Sequence, residues 1–248
     1  MEMNSIFIPK NFFLYMTDTI VLGLDGATWD VLDPLLEAGQ MPNLKTVLAD
    51  SHRGILESTT PPVTAPAWLS MATGQNPGKT GVFYFLNRKS PNSYDFEPMS
   101  SEDFSGKSFW DVLAANGTSV GIFNFPVLHP PYDLGDGSFM ISGFGASTEG
   151  GLTSPEELES KLDEVTDGYE LKVPYADPKY ADRPDQLKDD LYRILEKQEA
   201  AIDYLLKKRP EVFFGVISVT DWAQHYFWRY HDTDHVLHEP GQEDSLAN

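Results

Sequence analysis

Two short apolar runs, each leading into an acidic residue, most constrain how this chain can fold. The run 20–24 ends in Asp25, and the run 212–219 is followed two residues on by Asp221. Continuous apolar runs of this length are typical of parallel strands that are buried on both faces. An amphipathic segment, 184–208, leads directly into the second run, which is the pattern of a right-handed crossover. The sequence therefore predicts an α/β fold with a doubly wound, mostly parallel sheet and helices on both faces.

The other predicted elements follow from hydrophobic spacing and from capping residues. Thr28 is a suitable N-cap, and Pro66 fits the first turn of a helix, where its missing N–H costs little. The predicted strands are 19–25, 54–58, 119–125 and 212–219, and the predicted helices are 28–36, 43–49, 65–72, 109–116, 155–165 and 184–208. Turn-rich stretches at 87–105 and 129–151 predict loops over the face that carries the candidate site, within excursions near 87–105 and 129–183.

The two ends of the chain differ in composition from the part between them. Residues 1–16 are predicted to be a disordered arm or the product of a mis-set start, since Met16 lies just before the first strand. Residues 17–240 are expected to form one partial domain, and 241–248 an acidic tail. A basic leader with a small-residue cleavage site is not evident, so the sequence predicts a cytoplasmic protein without a signal peptide.

The charge balance narrows the range of partners. The chain has 38 acidic and 18 basic residues, a formal net charge of -20. Such a surface repels nucleic acid and anionic lipid, so neither nucleic acid nor a membrane is an expected partner. Acidic residues are spread along the chain, which favours a halophilic source, where salt screens the self-repulsion. The absence of cysteine excludes disulfides, thiolate metal sites and cysteine nucleophiles.

Four polar residues just past strand-like segments are the candidate site residues. Asp221 and His225 are four apart and share one face if a helix follows the strand, so both can reach one cation. The competing interpretation is a helix N-cap aspartate beside a half-buried histidine. Asp25 can likewise be a cap for the following helix, and Thr64, between prolines, can be a turn residue.

Taken together, these residues indicate metal-assisted phosphoryl chemistry. A threonine hydroxyl is a poor nucleophile at neutral pH and needs a metal or a base to lose its proton. A cation held by Asp25 would activate Thr64, and a second cation held by Asp221 and His225 could polarise a phosphoryl oxygen. Because residue 66 is proline, the N–H of Ala65 is the nearest backbone donor to the phosphoryl oxygens.

At these motifs the chain resembles the alkaline phosphatase superfamily, and within it the type I phosphodiesterase/nucleotide pyrophosphatase family. The resemblance runs from about residue 19 to residue 240. It rests on Leu22-Gly23-Leu24-Asp25-Gly26, Thr64-Ala65-Pro66-Ala67-Trp68 with 73–82, Asn124-Phe125-Pro126 with 141–144, and 221–228. It implies hydrolysis of a phosphodiester or nucleotide-type small molecule through a phospho-threonine intermediate at Thr64, with two divalent ions, zinc first and manganese as the alternative. Asp25 would hold the ion that activates Thr64, and Asp221 and His225 the ion that activates water.

The sequence also departs from the family pattern. Members carry a later Ser-Asp-His-Gly-like element and a distal histidine as further metal ligands, and neither is present. Asp234-His235 lies where members have a loop and is not assigned as a ligand. Members also hold a phosphoryl oxygen with an asparagine after the Gly-Val turn, for which Asn87 is the nearby candidate.

Because of these departures, the sequence is consistent with both an active and an inactive protein. One hypothesis is a metal-dependent hydrolase. The alternatives are a truncated, inactive remnant or a half-domain completed by a downstream chain, with self-association through an exposed sheet edge. A phosphomutase or phosphonate hydrolase is a further alternative within the superfamily. An oxidoreductase is excluded, because no Gly-x-Gly-x-x-Gly follows any strand.

Overall fold

The computed structural model describes residues 17–90, 92–104, 107–145, 151–173, 176–180 and 183–238. The predictions for 1–16 and for 241–248 lie outside the described residues. No helix within the described ranges is both long enough and apolar enough to cross a lipid bilayer.

The described part of the chain alternates between helices and short strands. In chain order the elements are β1 (Thr19–Leu24), α1 (Trp29–Glu37), α2 (Pro42–Ala49), α3 (Thr64–Thr73), α4 (Pro77–Thr80), β2 (Leu86–Arg88), β3 (Phe96–Pro98), α5 (Phe109–Ala115), β4 (Val120–Phe125), β5 (Phe139–Ser142), β6 (Thr153–Ser154), α6 (Glu157–Thr166), α7 (Pro184–Leu206), β7 (Val212–Ile217) and α8 (Val219–His231). Short 3-10 turns lie at Ser101–Asp103 and Pro178–Tyr180.

The main sheet has the strand order β1-β7-β4-β5-β6. β7 pairs in parallel with β1 on one side and with β4 on the other, and β5 pairs in parallel with β4. Among the described strands of this sheet, only the two-residue β6 pairs antiparallel, with β5. The predicted α/β fold with a mostly parallel sheet is confirmed.

Helices cover both faces of this sheet because its strands are apolar on both sides. On one face, Phe213 of β7 packs with the buried residues of α6, α7 and α8. The next residue, Phe214, points to the other face and packs with Leu69 of α3 and Trp110 of α5. Burial on both faces is what the continuous apolar runs predict for parallel strands. Each face has its own core, and the strand ends between them carry the candidate site.

The prediction of a strand at 54–58 is wrong. Within the described residues this segment has no strand partner, and Ile55 and Leu56 are each 89% exposed. Side-chain contacts hold its start against α1: Arg53 forms an ion pair with Asp33, and the Trp29 indole N–H donates to the Gly54 carbonyl. An apolar run of two residues gives little reason to join a sheet when those contacts fix its start elsewhere.

The stretch 129–151, predicted as a loop, contains a strand of the main sheet. The four residues of β5 are all buried, and they lie between glycine-rich turns. A run this short carries little periodicity, so the flanking glycines and prolines dominate the sequence signal. A β2–β3 hairpin also forms inside the predicted 87–105 excursion.

Candidate active site

The carboxyl ends of β1 and β7 bring the two acidic motifs together. The Asp25 N–H donates to the Ile217 carbonyl at 2.9 Å, which carries the parallel pairing to the last residue of β7. The Thr220 hydroxyl then donates to the Asp25 carbonyl at 2.6 Å. Ligand sites of open α/β sheets lie at this edge. The predicted strand 212–219 ends at Ile217, so Asp221 stands in the first turn of α8.

The Asp25 carboxylate is buried and half satisfied. Asp25 is only 6% exposed to solvent. One oxygen, Oδ1, accepts a hydrogen bond from the Trp68 indole N–H at 2.9 Å, whereas Oδ2 has no hydrogen-bond partner in the described part of the chain. Burial raises the pKa of the Asp25 carboxyl to about 6, the Trp68 hydrogen bond opposes that rise, and the charge of Asp221 adds to it. An unpartnered buried carboxylate oxygen is costly unless something else satisfies it.

Asp221 and His225 form a pair on one face of α8. Their side chains approach to 3.4 Å between Asp221 Oδ2 and His225 Nε2, with the imidazole largely exposed. Burial also raises the pKa of the Asp221 carboxyl, and His225 lowers it. The two side chains therefore have the predicted i, i+4 arrangement, with the carboxylate and the imidazole next to each other on the helix surface.

Gly26 lets the two acidic motifs approach each other. Its φ of +70° is a conformation that side chains disfavour, and a Cβ there would lie 3.0 Å from both the Cα and the Oδ1 of Asp221. Gly26 and Asp221 also line an open cleft of about 370 Å³ with Gln224, His225 and Trp228. The Gln224 amide donates to the Gly26 carbonyl at 2.8 Å and ties the β1 end to α8.

Thr64 is the first residue of α3, the helix that covers this end of the sheet. It is half-buried, and within the described ranges its hydroxyl makes no hydrogen bond. Trp68 lies one turn further along the same helix face and contacts Asp25 directly. The Ala65 N–H lies in the first turn of α3, where backbone N–H groups have no intrahelical acceptor. The N-cap, Val63, makes no side-chain hydrogen bond to this turn, and Pro66 has no N–H.

Asn87 lies in the β2–β3 hairpin rather than at the carboxyl ends of β1 and β7, where Asp25 and Asp221 lie. It is part of β2, and its amide donates to Asp103 Oδ2 at 3.4 Å. A role for Asn87 in binding substrate stays a prediction.

The ligand sets for divalent ions are partial. Across the described ranges, no group of three or more His, Asp or Glu side chains is arranged so that it could hold a metal ion. The residues present nevertheless have suitable chemistry, since carboxylate oxygens and imidazole nitrogens are ordinary zinc ligands. The partnerless Oδ2 of Asp25 is the atom that fits a cation best, because an ion would remove the cost of leaving it unsatisfied.

Sequence reasoning did not assign several residues that shape the site. Trp68, Gly26, Thr220 and Gln224 each form a contact between chain segments that are far apart. Only Trp68 carries a local signal, because it follows Thr64 by four residues on a predicted helix and thus shares its face.

The fold and the match to a family profile together assign the chain to the alkaline phosphatase superfamily. The family profile described as type I phosphodiesterase / nucleotide pyrophosphatase matches residues 19–240. The chain belongs to that family. A comparison with curated protein sequences found no match.

Solved structures share the fold. Two structures of phosphonoacetate hydrolase from Sinorhizobium meliloti 1021, one with phosphonoformate and one with phosphonoacetate, each align with a TM-score of 0.54 at 17% identity. The alignments cover 94% of this chain and 51% of the solved chain. This chain therefore spans about half the length of the structures it resembles.

Proposed function

We propose that this chain is a metal-dependent hydrolase of phosphodiesters or nucleotide-type pyrophosphates that acts through Thr64. The observation that carries the proposal is the partnerless carboxylate oxygen of Asp25, buried beside the Asp221–His225 pair where α3 covers the sheet edge. Membership of the phosphodiesterase family supports the same reaction class.

Thr64 is the proposed nucleophile. Its hydroxyl oxygen would form a bond to phosphorus as the bond to the leaving oxygen breaks, giving a phospho-threonine intermediate. Water would then cleave the threonine–phosphorus bond and restore the hydroxyl. The N–H of Ala65, in the first turn of α3, would donate to a phosphoryl oxygen, and Asn87 is a weaker candidate for the same role.

Two divalent ions, zinc first and manganese as the alternative, are the proposed cofactors. Asp25 and Thr64 would bind one of them, and Asp221 and His225 the other. When bound, such ions lower the pKa of oxygen nucleophiles and stabilise charge on phosphoryl oxygens. The burial of Asp25 keeps its carboxylate in a low-dielectric setting, where its attraction to a cation is strong.

Phosphonate hydrolysis is the second candidate activity. The two structural neighbours are phosphonoacetate hydrolases bound to phosphonoformate or phosphonoacetate. The same nucleophile and ions would serve, with a carbon rather than an oxygen as the leaving atom. Substrate preference would depend on the stretches 87–105 and 129–151.

The surface charge supports a proposal about setting and partners. A net charge of -20 favours small substrates over nucleic acid or an anionic membrane, and it suits a cytoplasm with high salt. Self-association is proposed through β1, the edge strand. Thr19 and Asp25 donate towards β7, so the alternate residues Ile20 and Leu22 direct their backbone groups to the open edge.

Hydrolysis of bis-p-nitrophenyl phosphate by the purified chain tests the proposal. The assay is run in molar KCl with zinc or manganese, with phosphonoacetate as a second substrate. Thr64→Ala is compared with Thr73→Ala, which changes the same residue type at the other end of α3. Turnover lost in Thr64→Ala and kept in Thr73→Ala is the expected result. A folded wild-type chain that hydrolyses neither substrate would overturn the proposal.

A further inference from the structure

Trp68 links the helix of the proposed nucleophile to the carboxyl end of β1. Its indole N–H donates to Asp25 Oδ1 at 2.9 Å, and it stands on α3 one turn after Thr64. The hydrogen bond occupies one carboxylate oxygen and leaves Oδ2 partnerless. The ring thereby selects which oxygen of Asp25 is available to an ion.

The indole ring is itself held by three strands. It packs against Phe125 of β4 and Phe214 of β7 with ring-centroid separations of 6.3 and 6.2 Å. On β1 it lies directly over Gly23, where a Cβ would come within 2.3 Å of the ring. A ring confined in this way has little freedom to rotate, so its N–H is fixed before any ion arrives.

We propose that Trp68 is a positioning residue for the Asp25 ion, an inference that rests on the proposed metal-dependent function. Trp68 fixes the orientation of the Asp25 carboxylate and, through α3, the place of Thr64 relative to it. Hydrogen-bond partners of metal ligands commonly change metal affinity by 10–100-fold when they are removed. The expected effect of losing the indole N–H is a weakening of ion binding of about that size.

Mn²⁺ binding measured by electron paramagnetic resonance of the free ion tests this in the metal-free protein. Trp68→Phe is compared with Trp110→Phe, which removes another indole hydrogen bond, 2.8 Å to the Tyr132 hydroxyl, from the same face of the sheet. Trp68→Phe is expected to raise the Mn²⁺ dissociation constant by about tenfold or more. Trp110→Phe is expected to lower stability and leave that constant within about twofold, because it does not contact a ligand.

Asp25→Asn separates failure of this inference from failure of the proposed function. If Asp25→Asn weakens Mn²⁺ binding and Trp68→Phe binds as the wild type does, the role of Trp68 is overturned and the metal site stands. If wild-type protein binds no Mn²⁺, or Asp25→Asn binds it equally well, the metal site and the role of Trp68 are both overturned.

A second measurement on wild-type protein applies even where Trp68→Phe does not fold. In a proton–nitrogen NMR spectrum, Zn²⁺ is expected to move the indole N–H resonance of Trp68 and to leave that of Trp110 in place. An unmoved Trp68 resonance at saturating Zn²⁺ would overturn the inference.

Discussion

Replacing Asp25 with asparagine should stabilise the metal-free protein while damaging its site. Folding places the Asp25 carboxylate in a buried position where its pKa is about 6 rather than 3.8. Because the folded-state pKa is the higher one, the ionised side chain destabilises the fold at pH values above about 6, and this penalty vanishes below the unfolded-state value of 3.8. At about 1.4 kcal/mol per pKa unit, the penalty at neutral pH is about 3 kcal/mol.

The expected gain is smaller than the full penalty. Asparagine keeps an oxygen that can accept from Trp68, but its amide N–H₂ replaces Oδ2 in a buried position. An unsatisfied donor there costs about 1–3 kcal/mol, which leaves a net gain of up to about 2 kcal/mol at pH 7.5. The gain should shrink as the pH falls towards 4, because the wild-type carboxyl is then protonated in the folded state.

Urea unfolding followed by circular dichroism, in EDTA at several pH values, measures this difference. Asp136→Asn is the matched control, because it removes the same charge from an exposed turn of a chain with a net charge of -20. Its stability should stay within about 0.5 kcal/mol of the wild type. Asp25→Asn that is less stable than the wild type at pH 7.5, or a stability difference between the two proteins that is the same at pH 4 as at pH 7.5, would refute the reasoning.

Three further predictions concern backbone positions around the site and the edge of the sheet. Gly26→Ala should cost more stability than Gly74→Ala in urea unfolding, and should weaken Zn²⁺ binding. Both glycines have a positive φ, a conformation that costs another residue about 1–2 kcal/mol, but only at Gly26 would the new Cβ meet Asp221. Equal losses of stability in the two variants would contradict this prediction. Gly23→Ala and Gly121→Ala each place a Cβ 2.3 Å from an aromatic ring, so both should lower the stability of the protein. In isothermal titration only Gly23→Ala should weaken Zn²⁺ binding, because only its ring, Trp68, contacts Asp25. Weaker binding in both variants would contradict this prediction. Light scattering after size exclusion should show more self-association in molar KCl than in dilute buffer, because a Debye length of about 3 Å screens the net charge; a monomer at every salt concentration would rule out pairing through β1.

The central strands could be predicted because their sequence signal is local. The runs that form β1 and β7 are apolar on both faces, and Asp25 and Asp221 follow them at the edge where parallel strands place ligands. Their placement at the same end of the sheet thus follows from the fold class, and the pairing of β1 with β7 makes them neighbours. The 54–58 segment shows the limit, since a strand needs a partner and local apolar content does not supply one.

The finer geometry of the site could not be predicted, because it depends on tertiary placement. The Trp68–Asp25 hydrogen bond joins residues 43 positions apart and exists only because Gly23 leaves room for the ring. The Gly26–Asp221 approach likewise needs both strand ends in register. The buried β5 lies among glycines and prolines whose turn signal is stronger than that of a four-residue strand.

Mass spectrometry of acid-quenched reactions tests the role of Thr64 most directly. Wild-type protein is incubated with bis-p-nitrophenyl phosphate and Zn²⁺, quenched, digested and searched for a phosphoryl adduct. We expect an adduct on the peptide that contains Thr64, and we expect Thr64→Ala to lack both the adduct and turnover. Undiminished turnover by Thr64→Ala, or an adduct on a different residue, would contradict it.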